Sequence, residues 1–156
     1  MDLTLTPLTG DAKTLHQWLT TFHLASVVLD PFTNESAWIL KTAARILRQF
    51  SGAAVRINFI VTCDASDARA FLGPLADEFL VFCDPDRVAV KALGLSELPA
   101  FVLIKSDGSV PNAAQGWTSA DWKEVAAAVA ALTNWSRPTI PAPGDPGSFR
   151  GTPALV

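Results

Sequence analysis

The sequence has few of the residues on which several classes of protein depend. Its 156 residues include two cysteines, Cys63 and Cys83, and two histidines, His16 and His23. Two cysteines cannot build a disulfide-rich scaffold, and two histidines close to the start provide little for a zinc site. The net charge of −3 offers no electrostatic footprint for nucleic acid or for an anionic membrane surface. We therefore do not expect a secreted minidomain, a zinc finger or a nucleic-acid-binding protein.

Targeting and membrane-spanning segments are also lacking. An acidic residue, Asp2, stands where a signal peptide has its basic region, and no long apolar stretch follows it. The longest weakly polar run, residues 125–132, is far shorter than the roughly 20 residues that cross a bilayer. We therefore expect a cytoplasmic protein without a membrane partner.

Hydrophobic residues, by contrast, make up 49% of the chain, which is enough for one globular domain with a sizeable core. Short apolar runs alternate with segments of helical periodicity. Strands are predicted at residues 25–29, 55–61, 79–82, 100–104 and 110–115. Helices are predicted at residues 11–22 with Asp11 as N-cap, at 36–50, at 64–75 with a break at Gly73-Pro74, at 85–93 with Pro85 in the first turn, and from Thr118 or Ser119 to about residue 132.

Proline and glycine are concentrated near the C-terminus. Residues 136–156 contain five prolines and three glycines, a composition typical of a non-helical tail. Because such a tail is ordered only where something holds it, Ile140 and Phe149 are expected to pack against the body or against the second subunit of a homodimer. The predicted organisation is an N-terminal helical extension (1–24), a central domain (25–135) and this tail.

The order of the elements predicts an α/β sandwich with parallel strands covered on both faces and an antiparallel last strand. Residues 26–132 resemble the thioredoxin-like superfamily, most of all its peroxiredoxin and thiol-disulfide oxidoreductase branch. The likeness depends on the apolar strand at 26–29, an additional strand and helix between 63 and 94, Leu98-Pro99-Ala100-Phe101 before a buried strand, and Asp107-Gly108 with Gly116-Trp117 at the terminal hairpin and helix. The resemblance implies a three-layer α/β/α sandwich with a mostly parallel central sheet and an antiparallel C-terminal hairpin.

The resemblance also implies a binding groove. A proline at the position of Pro99 is cis in families of this type, and Leu98 and Pro99 would form the floor of the groove; an ordinary trans proline is the alternative. The loop and first helical turn at 31–38 would form the wall. The expected groove residues are Phe32, Thr33, Asn34, Glu35, Ser36, Trp38, Leu98 and Pro99.

The nucleophile that the resemblance requires is missing. The superfamily places a cysteine at the N-terminus of the first core helix, where the helix dipole lowers the pKa of the thiol. Residues 30–38 contain no cysteine, and in one alignment Ser36 takes its place. A serine would need a general base, and this part of the chain has no histidine. Thr33 or Asn34 is therefore expected to cap the helix, with or without a retained binding role for the loop.

The two cysteines each end a predicted strand and precede an aspartate. Such positions lie at the carboxyl edge of a parallel sheet, where α/β folds place their sites. Three interpretations remain: two inert thiols, a regulatory or resolving disulfide, or a metal clamp of Cys63, Asp64, Cys83 and Asp84. The aspartates oppose any lowering of the thiol pKa values. The spacing matches no recognised ligand pattern, so neither a metal nor another cofactor is expected.

These observations lead to three functional hypotheses. The first is a non-catalytic domain that binds a peptide or a protein partner in the groove. The second is an atypical thiol-disulfide or peroxidase-like redox protein that uses Cys63 and Cys83. The third is a dimerising structural module in which the tail, its own or a partner's, fills the groove. A stripe of Lys41, Arg45 and Arg48 is interpreted as a solvated helix face, with a site for an acidic partner as the alternative.

Overall fold

A computed structural model describes residues 1–155. Its strands are β1 (Thr4–Pro7), β2 (Lys13–Thr14), β3 (His23–Leu29), β4 (Val55–Val61), β5 (Leu80–Cys83), β6 (Glu97–Leu98), β7 (Ala100–Ile104), β8 (Asn112–Gln115) and β9 (Thr152–Pro153). Its helices are α1 (Leu15–Trp18), α2 (Asn34–Arg48), α3 (Ala65–Leu72), α4 (Leu75–Glu78), α5 (Val88–Ala92) and α6 (Ser119–Thr133). No helix in this part of the chain is long and apolar enough to span a membrane.

Seven strands form the central sheet in the order β2-β1-β5-β4-β3-β7-β8. The three middle strands, β3, β4 and β5, are parallel, and the β7–β8 hairpin is antiparallel, as the resemblance implied. The first strand of that hairpin also runs antiparallel to β3. A second, two-stranded sheet consists of β6 and β9.

Helices cover both faces of the central sheet because the middle strands are apolar on both sides. Along β3, Val27 belongs to the core cluster that contains α2, α3 and α6, whereas its neighbour Val28 belongs to the cluster that contains α1 and α5. Phe59 and Ile60 divide in the same way in β4. The three-layer α/β/α sandwich is thus confirmed.

The N-terminal segment corrects the prediction of a helical extension. Instead of a helix over 11–22 capped by Asp11, the chain forms β1, β2 and the single-turn α1, and β1 pairs antiparallel with β5. Thr14 caps α1: its hydroxyl accepts from the Gln17 N–H at 3.2 Å, while Gln17 Oε1 accepts from the Thr14 N–H. The alternating buried residues Leu3 and Leu5 place this segment on the sheet.

The connections around α3 and α5 confirm one prediction and correct another. Asp64 caps α3, and Gly73-Pro74 separates it from α4, as predicted. Pro85, however, lies outside α5, which begins at Val88 after Arg87 takes a left-handed conformation with φ of 59°. The Asp84 carboxylate accepts from the N–H groups at the start of α5. The Asp84 side chain, three residues before Arg87, therefore caps α5, and the residues between them form the turn that leads into the helix.

The tail is held against the body of the same chain. Ile140 is buried in the core cluster beneath α2 and α6, and Phe149 packs against that cluster, which confirms the packing expected of both residues. The peptide bonds Leu98–Pro99 and Ile140–Pro141 are cis.

Candidate functional site

The two ends of the loop between β3 and α2, where the superfamily has its nucleophile, are joined by a hydrogen bond to Ser36. The Ser36 side chain is fully buried, and its hydroxyl oxygen accepts a hydrogen bond from the Asp30 N–H at 2.9 Å. The Asp30 carbonyl in turn accepts from both the N–H and the hydroxyl of Thr33. Ser36 therefore acts as a structural acceptor that ties the end of β3 to the first turn of α2.

The remaining loop residues divide into a capping residue and an exposed aromatic pair. Thr33 is the N-cap of α2, as predicted, but its side chain makes no capping hydrogen bond. Asn34 is exposed, and Glu35 lies half-buried in the first helical turn. Phe32 and Trp38 are more than half exposed, which is unusual for large aromatic side chains. This wall of the expected groove is thus apolar and open.

Cys63 follows β4 and Cys83 ends the neighbouring parallel strand β5, but the two cysteines do not form a disulfide. Cys83 lies opposite Val61 in the sheet, and Cys63 is two residues beyond Val61. Both are free thiols. Burial raises the pKa of Cys63 to about 12, and Cys83, Asp67, Asp64 and Asp30 add to the effect. At neutral pH this side chain is a thiol and a poor nucleophile.

Cys83 is half-buried, and its environment is equally unsuited to thiolate chemistry. Burial raises its pKa, the Asp64 carboxylate raises it further, and Arg69 opposes the shift. Within residues 1–155, no group of three or more cysteine, histidine, aspartate or glutamate side chains is arranged to hold a metal ion. The four-residue clamp of Cys63, Asp64, Cys83 and Asp84 therefore does not form; two of its members, the aspartates, cap α3 and α5 instead.

The opposite wall of the groove is β6, which runs into the cis peptide bond at Pro99. The Gln115 side-chain oxygen on β8 accepts from the Ser96 N–H, the Ser96 hydroxyl and the Glu97 N–H at 2.7–3.0 Å. These bonds hold one edge of β6 against the body. Leu98, the last residue of β6, and Pro99 are both buried.

The outer edge of β6 is occupied by the tail. Strand β9 pairs with it antiparallel, with Thr152 opposite Leu98 and Pro153 opposite Glu97. The Ala154 N–H donates to the Ser96 carbonyl at 2.9 Å, and the Gly151 N–H donates to Glu97 Oε1 at 2.9 Å. The residue next to the cis proline thus already has an extended partner strand.

Just before β9, the tail passes close to the residue that follows β8, and both segments have a glycine at this crossing. A Cβ atom on Gly116, which has φ of 74°, would lie 2.9 Å from the Gly151 nitrogen. A Cβ atom on Gly151 would lie 2.9 Å from the Leu98 carbonyl oxygen. Real Cβ atoms do not approach so closely, so this crossing requires glycine on both sides. Trp117 and Phe149 exchange two backbone hydrogen bonds of 2.9 Å beside it.

The tail also bridges the two walls of the groove. The Phe149 ring packs edge-on against Trp38 of α2, with ring centroids 5.6 Å apart. At its far end, the Ala154 carbonyl accepts from Arg87 Nη1 at 2.6 Å, while Arg87 Nη2 lies 2.9 Å from Asp30 Oδ2. One guanidinium therefore connects the tail to the loop that follows β3.

Of the predicted groove residues, Trp38 and Leu98 contact the tail, Pro99 is buried, Phe32 and Asn34 lie at the surface, and Ser36 lies in the interior. Several residues of this site escaped the sequence analysis, among them Arg87, Gly116, Gly151, Thr152 and Ala154. Only the density of glycine and proline after residue 136 signalled that the tail needed a partner surface.

No family model matches the chain, and no curated protein matches it. Solved structures do. A secreted disulfide oxidoreductase of Mycobacterium tuberculosis homologous to E. coli DsbE is 22% identical, with a TM-score of 0.64 over 84% of this chain and 96% of that one. The Xanthomonas campestris bacterioferritin comigratory protein, whose structure was determined to explain alkyl peroxide reduction, is 18% identical, with a TM-score of 0.63 over 87% of this chain and 92% of that one. A hypothetical protein of Sinorhizobium meliloti 1021 is 18% identical, with a TM-score of 0.65 over 99% of this chain and 91% of that one. The chain has the thioredoxin-like fold, the fold of these disulfide oxidoreductases and of the peroxiredoxins.

Proposed function

We propose that this chain is a non-catalytic thioredoxin-like domain that binds an extended polypeptide segment along β6, beside Leu98 and Pro99. The observation that carries the proposal is the antiparallel pairing of β9 with β6. An open sheet edge binds peptides by the same kind of strand addition, in which backbone hydrogen bonds supply affinity and side-chain pockets supply specificity.

The chemistry of the thiols supports a binding role over a catalytic one. Ser36 has replaced the nucleophile in one alignment, and its hydroxyl is committed to the Asp30 N–H. The two cysteines have raised pKa values, whereas reactive cysteines have lowered ones. Neither residue type offers an activated nucleophile near neutral pH.

In this proposal the tail is a resident ligand that an outside segment must displace. A tethered segment has an effective concentration on the order of millimolar, so weak outside ligands lose the competition. Binding to the wild-type chain is therefore weak, and release of the tail strengthens it.

A peptide array tests this function with the full-length chain. The array carries immobilised peptides of about ten residues and varied sequence, and the probes are the wild type, Gly151→Val and Gly147→Val. Valine at 151 collides with Leu98 and Glu97 and releases the tail, whereas the space around Gly147 is open. We expect Gly151→Val to bind a subset of peptides at least ~10-fold more strongly than the other two proteins. A folded Gly151→Val chain that binds no peptide above the wild type would contradict the proposal.

The non-catalytic part needs its own measurement. Insulin reduction and peroxide consumption by the wild type are expected to stay at background. Activity above background that is lost in Cys63→Ser or Cys83→Ser would instead favour the redox hypothesis.

A further inference from the structure

The way in which the tail is seated indicates which segments the β6 edge accepts. Building on the proposed function, we infer that the ligand is an extended segment of another protein with an aromatic residue, a glycine two positions later and a small residue three positions after that glycine. In the tail these places belong to Phe149, Gly151 and Ala154. The positions of Arg150 and Pro153 are free to vary, and that of Thr152 favours a residue that can donate to the Leu98 carbonyl.

The glycine place is the most restrictive. The backbone at Gly151 passes so close to β6 that a Cβ atom would meet both the Leu98 carbonyl oxygen and Glu97 Cβ at 2.9 Å. A Cβ atom on Gly116 would in turn lie 2.9 Å from the Gly151 nitrogen, so the strand also packs closely against Gly116. Any side chain at this place must therefore push the strand off the edge, and its pairing with Leu98 is lost.

The position of the aromatic residue lies between the apolar core and Trp38. The Phe149 ring is half-buried against the core, and its edge faces Trp38, which is itself 56% exposed. The backbone of the same residue is fixed by two hydrogen bonds with Trp117. An aromatic side chain here covers part of Trp38, and aromatic pairs contribute about 1 kcal/mol beyond the area that they bury.

The position of the small residue, which Ala154 occupies in the tail, is enclosed. Ala154 is 1% exposed and belongs to the apolar cluster that contains Leu95 and Leu98. Its N–H and its carbonyl are both bonded, to Ser96 and to Arg87. A larger side chain would have to displace this cluster, which cores resist.

Two of the other positions, those of Arg150 and Pro153, face solvent. The Arg150 side chain is 89% exposed and lies 3.8 Å from Glu97, a distance that adds little binding energy for an exposed pair. Pro153 is exposed and has no N–H, yet the strand continues because the next N–H, that of Ala154, donates to Ser96. These two side chains therefore do not contribute to selection, whereas Thr152 is half-buried and its hydroxyl donates to the Leu98 carbonyl at 3.3 Å.

The tail is anchored by an upstream and a downstream set of contacts, and Trp117 takes part in both. The upstream part is fixed by buried Ile140, by the Arg45–Asp145 ion pair and by the bond from Trp117 Nε1 to the Pro146 carbonyl. Among the described residues, the downstream part is held by the contacts along β6 and by those of Phe149 and Ala154. A ligand that matches the downstream part can replace it while the upstream part stays bound to α2.

The experiment uses a fluorescein-labelled peptide with the sequence of residues 146–155, titrated into the full-length Gly151→Val chain and into the wild type. The peptide is expected to bind Gly151→Val at least ~10-fold more tightly than the wild type, whose own tail competes. Peptides carrying Gly151→Val, Phe149→Ser or Ala154→Phe are expected to bind at least ~10-fold more weakly than the parent, and an Arg150→Ala peptide within about threefold of it. Circular dichroism establishes that each protein is folded, and Ala154→Asp serves as a second chain with a released tail.

The outcomes separate this inference from the function on which it rests. Array peptides could bind the Gly151→Val chain while the tail peptide that carries Gly151→Val binds that chain as tightly as the parent peptide does. In that outcome the motif is wrong, and the proposed binding of a strand along β6 stands. If neither the parent nor any array peptide binds to a folded chain with a released tail, both are wrong. If the wild type sediments as a dimer that Gly151→Val abolishes, the occupant is the tail of a second copy, and an outside segment is excluded as the ligand.

Discussion

Arg45 on α2 and Asp145 in the tail form an ion pair whose Nη2 and Oδ2 atoms are 2.8 Å apart and whose carboxylate side chain is only 5% exposed. The same carboxylate accepts from the Thr42 hydroxyl and the Ala142 N–H. One turn along the helix, Arg48 pairs with Glu78 in solvent. Of the arginines in the stripe that was interpreted as a solvated face, one therefore holds the tail and the other lies in solvent.

This contrast predicts different costs for two similar substitutions. Arg45→Ala leaves the Asp145 carboxylate buried without its cation and should lower the free energy of unfolding by about 2–3 kcal/mol. Arg48→Ala removes only an exposed pair and should change stability much less. Urea unfolding of both variants measures the difference. Equal losses would mean that Arg45 does not anchor the tail.

The strands of the central sheet could be predicted because their local pattern agrees with their tertiary environment. Residues 55–61 are apolar and β-branched over most of their length, and this sequence is buried on both faces of β4. The break at Gly73-Pro74 was predictable for the same reason, since proline and glycine act locally.

The N-terminus and the site could not be predicted in the same way. Leu15, Trp18 and Leu19 have helical spacing, but the helix is limited to one turn because residues 13–14 pair with β1 and β3 begins at His23. The glycine crossing joins Gly116 to Gly151, and neither position indicates the other in a single sequence. Arg87, which bonds to Ala154 and Asp30, has a left-handed backbone, a conformation that arginine rarely adopts and that the sequence does not indicate.

Gly116 offers a test of the crossing with a matched control. Gly116→Ala and Gly94→Ala place a Cβ on backbones with φ of 74° and 70°, so both carry about 1 kcal/mol of conformational cost. Only Gly116 faces the tail, since nothing lies within 4 Å of a Cβ at Gly94. We therefore expect Gly116→Ala to lose about 1–3 kcal/mol more than Gly94→Ala in urea unfolding. Equal losses of unfolding free energy in the two variants would show that the tail moves away from residue 116 without loss of stability.

The Arg87 guanidinium provides a test of how the end of the tail is held. Lysine keeps the positive charge, but it cannot direct two fixed N–H groups at the Ala154 carbonyl and the Asp30 carboxylate. Arg87→Lys should therefore accelerate hydrogen exchange at the Ala154 amide by about 10-fold. This rate change corresponds to a free energy of local opening that is lower by about 1.4 kcal/mol. Lys91→Arg, on the exposed side of the same helix, is the control and should leave that exchange rate unchanged. An unchanged rate in Arg87→Lys would contradict the role of the guanidinium.

The raised pKa of Cys63 predicts how stability changes at alkaline pH. Burial holds the pKa of the folded thiol at about 12, whereas an unfolded cysteine ionises near 8.5. The stabilisation is therefore complete below about pH 8.5 and is lost progressively as the pH rises toward 12, with a slope of up to about 1.4 kcal/mol per pH unit. Urea unfolding between pH 8 and about 10.5 should show this decline in the wild type and a flatter profile in Cys63→Ala. The readout is the slope, because the cavity in Cys63→Ala lowers stability at every pH.

Iodoacetamide should modify the half-buried Cys83 before the buried Cys63, because access and thiolate fraction set the rate. Rapid alkylation of Cys63 at pH 7, together with an unchanged alkaline slope in Cys63→Ala, would instead identify an ionised thiol and return the redox hypothesis to first place.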